Sequence, residues 1–140
     1  MSWAPGAKSY AAAWDILQRA GNANLGLVID SFHLLAQLEG PEDLRDIPAA
    51  RFALVHLSDF AMSTIPALED RIDIARHYRL YPGEGSHGES IRELVRFCQS
   101  VGYEGDYVFD VYNDKYLALS PEASLQHAIR SRQWILDGLE

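Results

Sequence analysis

Cysteine is nearly absent from this 140-residue chain: the single Cys98 excludes an internal disulfide and any cysteine-built zinc cluster. It falls on an apolar helical stripe, where a buried, inert thiol is expected rather than a nucleophile. Basic residues are also scarce, with 12 Lys and Arg against 20 Asp and Glu, a formal charge of −8 and a pI near 5.0. No Lys/Arg run occurs, so nucleic acid is not expected as a partner, because phosphate binding needs a surplus of cations on one face. No stretch reaches the roughly 20 uninterrupted apolar residues of a membrane helix, and residues 1–6 lack the basic start and apolar middle of a secretion signal. A cytoplasmic location is expected. What is present is enough to build a core: 48% of residues are hydrophobic, which argues against disorder, and the length suits one folded unit over residues 1–140.

The apolar residues recur in two alternating patterns. Tyr10, Ala13, Trp14 and Leu17 have helical spacing, closed by Gly21. Leu25–Ile29 (LGLVI) then runs continuously apolar, as a strand buried on both faces does, and ends at Asp30. Phe52–Leu57 (FALVHL) repeats this before Ser58 and Asp59, and Tyr107–Val111 (YVFDV) repeats it before Tyr112, Asn113 and Asp114. Glu89–Val101 predicts a helix stopped at Gly102. Residues 120–139 predict another, with Ser120 as N-cap, Pro121 in the first turn, and Ala123, Leu125, Ala128, Ile129, Trp134, Ile135 and Leu136 on its buried side. The stretch 61–88 is poorly patterned and reads as a long functional loop around a short strand.

Strands alternating with helices imply βαβ units and a parallel sheet. Asp30, His56 and Asp110 stand 26 and 54 residues apart, one and two repeats of a unit near 27 residues, and the middle repeat falls at Pro82–Gly85. So regular a pitch favours a (β/α) barrel over an open doubly wound sheet, and no GxGxxG phosphate turn is present. A full eightfold barrel needs about 200 residues or more. The expected fold is therefore α/β: a half TIM barrel of about four βα units with parallel strands.

In such a barrel the reactive groups sit at the C-terminal ends of the strands. Asp30, His56 and Asp110 occupy three of them, and two carboxylates with an imidazole suit Mn²⁺, Mg²⁺, Co²⁺ or Zn²⁺. The alternative is that the acids cap the following turns and His56 is a core histidine. His33, one helical turn beyond Asp30, is a candidate to meet substrate or relay a proton. Otherwise it is a helix-face histidine without a role. Arg79 is a candidate to bind a substrate oxyanion, carboxylate or phosphate, or else a surface arginine paired with an acid. Arg76 and His77 carry the same two readings, whereas His87 and His127 read as structural or solvated.

Four motifs together carry a resemblance. Asp30-Ser31-Phe32-His33 after LGLVI, His56-Leu57-Ser58-Asp59, the segment RLYPGEG from Arg79 to Gly85, and GYEGDYVFDVYND from Gly102 to Asp114 resemble the C-terminal half of xylose-isomerase-like TIM-barrel enzymes, the sugar phosphate isomerases and epimerases. The chain is most similar to the bacterial 3-dehydroshikimate dehydratase branch, with its Trp-x-x-Gly start, Ala13-Trp14 helix, Pro-Gly-x-Gly loop and late Arg130-Ser131 helix. The resemblance implies a metal held by Asp30, His56 and Asp110, with His33 meeting the substrate and Arg79 clamping it. It also implies a departure: Asp110 stands where the family has glutamate, one methylene longer. The family's first metal ligand, on its fourth strand, falls before the segment aligned with Ser2-Trp3-Ala4. The implied chemistry is proton abstraction next to the carbonyl of a small polyhydroxylated, carbohydrate-like compound, with the enediolate stabilised by the cation. Isomerase, epimerase and dehydratase (lyase) outcomes are all open. The other class of function is a non-catalytic half-barrel fragment or self-associating module. Open sheet edges and an uncovered interior would then be covered by a second copy or by an N-terminal half.

Overall fold

The computed structural model describes every residue except Met1, Pro5, Ile65, Pro66 and Glu140, so two positions of the opening segment and two of the expected loop lie outside the described residues. Helix α1 (Tyr10–Ala20) begins where the Ser9 hydroxyl accepts the Ala12 N–H at 3.0 Å. It ends at Gly21, whose φ of 63° is a conformation glycine adopts without a Cβ penalty. Strand β1 (Leu27–Asp30) runs directly into a short helix, α2 (Ser31–Leu35). Two 3₁₀ turns lead to β2 (Phe52–Leu57), followed by α3 (Leu68–His77), α4 (Gly88–Ser100), β3 (Tyr107–Phe109), α5 (Asp114–Leu117) and α6 (Pro121–Asp137). Ser120 caps α6 by accepting the Ala123 N–H.

The three strands form one parallel sheet in the order β1-β2-β3. Its register sets Asp30 beside His56 and Leu57 beside Phe109, so the three strand ends that the sequence marks lie at one edge. Side chains alternate across a strand. One face, carrying Leu27, Ile29, Val55 and Leu57, packs into a core with Ile91, Leu94, Val95 and Cys98 of α4 and Ile135 of α6. Cys98 is wholly buried within it and its thiol is pushed up to about 11 by that burial, as an inert thiol should be. The opposite face carries Val28, Asp30, His56, Val108 and Asp110.

Four expectations need correction. The strands are not buried on both faces: Val28 is 45% and Val108 40% exposed, so the sheet is an open part of a barrel wall. No strand forms at Pro82–Gly85 among the described residues, and β2 pairs directly with β3. The segment before that turn makes only isolated bridges, Asp59 with Leu80 and Tyr78 with Asn113, and crosses the strand ends as a strap. The stretch 61–88 also contains a ten-residue helix, α3, which buries only Ile74 and Ala75 and therefore leaves almost no apolar stripe to read. Finally, α6 buries Ser131 and Ile135, while Leu125, Ile129 and Leu136 of its expected buried side remain exposed. No helix among the described residues is long and apolar enough to cross a membrane.

Candidate metal centre

Asp30 ends β1 and begins α2, and it serves both elements. Its Oδ1 accepts the His33 N–H at 3.3 Å, a helix N-cap, which leaves Oδ2 free to face the neighbouring strand ends. The Asp30 backbone is held from behind by Tyr10, whose hydroxyl oxygen accepts the Asp30 N–H at 2.7 Å. Burial raises the Tyr10 phenol above its ordinary range, so it stays protonated. Ser31 ties β1 to β2: its hydroxyl donates to Ser58 O at 2.7 Å and accepts the Ser58 N–H at 2.9 Å.

On the adjacent strand, His56 turns Nδ1 to within 3.4 Å of Asp110 Oδ2 and 3.9 Å of Asp30 Oδ2. Ligand atoms of Asp30, His56 and Asp110 all lie within 4.8 Å of one another. Two carboxylate oxygens and one imidazole nitrogen at this spacing fit a hard or borderline divalent cation. The capping alternative for Asp30 and the ligand reading are thus compatible, one per carboxylate oxygen.

Arg79 lies against the same group. It is only 4% exposed, and its Nη1 donates to Asp30 Oδ2 and Asp110 Oδ2, both at 3.0 Å. Nε donates to Ala75 O at 3.0 Å, and the guanidinium stands 4.8 Å above the Phe32 ring. The strap fixes its backbone: Arg79 N–H donates to Tyr112 O, and Asn113 Nδ2 donates to Arg79 O.

His33 stands on the other side of Asp30, with Nε2 3.9 Å from Asp30 Oδ2. The Ser2 N–H donates to its Nδ1 at 3.3 Å, which assigns the ring proton to Nε2. Burial lowers the imidazole from 6.5 to about 4, against the opposing pull of Asp30, so the ring is neutral near pH 7. Trp3, Tyr10, Asp30, His33, Arg79 and Asp110 line one cleft of about 610 Å³. Arg76 also reaches its wall. The other histidines lie elsewhere. His77 pairs with Asp114 at the surface, the His87 ring bonds Met62 O, and His127 pairs with Glu84.

Asp59, quoted in a motif but given no role, organises the loop beside the site. It is fully buried; Oδ1 accepts the Phe60 and His87 N–H groups, and Oδ2 those of Gly83 and Gly85. A Cβ on Gly85 would stand 2.3 Å from Asp59 Oδ1, so only glycine allows this approach. The signal was the HLSD run itself, an acid two residues beyond the end of a strand. Tyr10 and Asn113 gave none, since one reads as helix face and the other as a turn residue.

A parallel βα sheet with acid, imidazole and acid at its C-terminal edge defines an open part of a TIM barrel. The xylose isomerase-like TIM-barrel family profile matches residues 1–136, and the chain belongs to that family. Among curated relatives, a 3-dehydroshikimate dehydratase of Pseudomonas aeruginosa is 30% identical over 131 residues, 94% of this chain and 20% of its own length. An inosose isomerase of Halalkalibacterium halodurans is 24% identical over 120 residues, 86% of this chain and 40% of its own. A solved fusion of a xylose isomerase-like TIM barrel with 4-hydroxyphenylpyruvate dioxygenase superposes with a TM-score of 0.81 at 26% identity, over 99% of this chain and 21% of that one. The IolI protein, solved with a bound zinc atom, superposes at 0.75 with 21% identity, over 94% and 44%. The chain thus spans a fifth to under a half of the length of the proteins it matches.

Proposed function

We propose that residues 1–140 are the C-terminal, metal-binding part of a barrel that isomerises, epimerises or dehydrates a small polyhydroxylated carbonyl compound, of sugar phosphate or 3-dehydroshikimate type. The observation that carries this is the convergence of Asp30, His56 and Asp110 within 4.8 Å at the strand ends. The names of the dehydratase and isomerase relatives support the substrate class. A divalent cation bound by these three side chains supplies Lewis-acid polarisation of a carbonyl oxygen. The zinc in the IolI neighbour supports a divalent ion, and Mn²⁺, Mg²⁺, Co²⁺ and Zn²⁺ all suit this donor set.

The remaining roles follow from the cleft. His33 is neutral and carries its proton on Nε2, so it donates a hydrogen bond from Nε2 to a substrate oxygen and stabilises charge that develops there. Arg79 lines the cleft, and its guanidinium binds a substrate carboxylate, phosphate or oxyanion there. Tyr10 keeps Asp30 in place through its backbone. A non-catalytic, self-associating half-barrel is the second reading, favoured by the exposed Val28 and Val108 on the inner face.

Manganese titration of the 140-residue chain tests the first reading. Wild-type protein should gain thermal stability in proportion to the logarithm of Mn²⁺ above its dissociation constant, and Asp30→Ala with His56→Ala should abolish the gain. A melt that ignores Mn²⁺ in every variant refutes the metal centre and leaves the non-catalytic reading.

A further inference from the structure

We propose that Arg79 is a resident counter-cation of this centre: it holds Asp30 and Asp110 together in the metal-free protein, and by doing so it weakens their hold on a divalent ion. The inference rests on the reading of Asp30, His56 and Asp110 as metal ligands and adds a control on that site. Two carboxylates converging on one point repel one another, and they would draw apart unless a cation lay between them. Arg79 supplies that cation with a single nitrogen, Nη1, at 3.0 Å from both Oδ2 atoms.

The geometry makes this more than an ion pair at a site wall. Asp30 Oδ1 is already engaged by the His33 N–H, so the oxygen that Arg79 takes is the one left for a metal. The arginine is also fixed by contacts that do not depend on the acids. Nε is held by Ala75 O, the guanidinium lies over Phe32, and the Ser58 hydroxyl is 3.3 Å from Nη1. The charge therefore stays beside the ligands whether or not a metal is present. An incoming divalent ion meets two negative charges and one positive charge instead of two negative charges alone. At contact distances and limited exposure that positive charge opposes binding strongly. Arg79 is thus a positioning residue for Asp30 and Asp110 and an antagonist of metal loading.

The test compares Mn²⁺ affinity, read from the paramagnetic resonance signal of free Mn²⁺, in wild type, Arg79→Met and Arg79→Lys, with thermal melts of each protein without metal. Arg79→Met should melt lower than wild type without metal and bind Mn²⁺ at least about tenfold more tightly. Arg79→Lys, which keeps the charge, should stay within about threefold of wild type, since the point charge survives where the fork is lost. If Arg79→Met is unfolded without metal, added Mn²⁺ must restore its folded signal, and failure to do so overturns the proposal. Equal or weaker Mn²⁺ binding by Arg79→Met beside a binding wild type overturns it too, while leaving the metal centre intact. Absence of binding in wild type and in both variants removes the metal centre itself, and this proposal with it.

Discussion

The edge of the sheet and its inner face are built from the same three strands and reach opposite states. At the edge, polar and charged groups are buried: Asp30, Ser31, Ser58, Asp59, Arg79 and Asn113 are each 6% exposed or less. One step down the same face, at Val28 below Asp30 and Val108 below Asp110, apolar side chains are 45% and 40% exposed. Polar groups are normally left wet and aliphatic ones dry, so this is an inversion. It is stable at the edge because every buried charge named there has partners: Asp30 and Asp110 have Arg79, and Asp59 has four backbone N–H groups. The difference teaches that the local sequence is committed to a rigid mouth, whereas the inner face is left for something else to cover.

The comparison breaks most sharply if the mouth is not rigid. Asp59→Ala orphans four N–H groups around a fully buried position and releases the loop that carries Gly83 and Gly85. It should cost about 3–5 kcal/mol in urea unfolding. A loss below about 1 kcal/mol would mean that the loop is held by its other contacts, such as the Asp59–Leu80 backbone pair, and that the carboxylate is incidental. Next in size is the cost of charging the mouth. His33 titrates near 6.5 when unfolded and at about 4 when folded, mainly because it is buried. Between those values the unfolded chain binds the extra proton, so stability rises with pH through that window and the histidine's contribution is lost as pH falls from 6.5 to 4. The full effect is about 3 kcal/mol, at 1.36 kcal/mol for each unit between 6.5 and about 4. Urea midpoints at pH 7, 5.5 and 4 for wild type and His33→Gln measure it. The variant should lack that share of the decline, and parallel curves would show that His33 is solvated.

How much of this was legible follows the range of the interaction. Caps could be read from a few residues: Gly21, Ser120 and Gly102 mark element ends as expected. The convergence of Asp30, His56 and Asp110 was legible because a parallel sheet aligns strand ends, so the spacing of the strands sufficed. The regular pitch misled at Pro82–Gly85. There Pro82 has no N–H to give, Gly83 takes a φ of 87°, and the Asp59 carboxylate collects the donors that a ladder would need. Arg79 was marked as a candidate anion binder, but nothing in its neighbourhood says that its first anions are Asp30 and Asp110, 49 and 31 residues away. For α3, ten residues with one buried pair leave no stripe to find. For α6 the stripe is real, but periodicity says only that a face is apolar, not what lies on it.

That last point carries the smallest expected effect. On α6, Ile135 is 6% exposed and Ile129 49%, although the sequence gives both the same apolar character. Ile129→Gln and Val28→Thr should each change the unfolding free energy in urea by no more than about 0.5 kcal/mol, because both side chains are already about half exposed. Measured at dilute and at hundredfold higher protein concentration, the two values should agree for an uncovered surface. If a second copy covers the inner face, Val28→Thr becomes costly only at the higher concentration, since association stabilises by mass action, while Ile129→Gln on the helix remains silent. A concentration-dependent cost confined to Val28 would therefore locate the cover on the open sheet rather than on the outer helix, and would favour the self-associating reading.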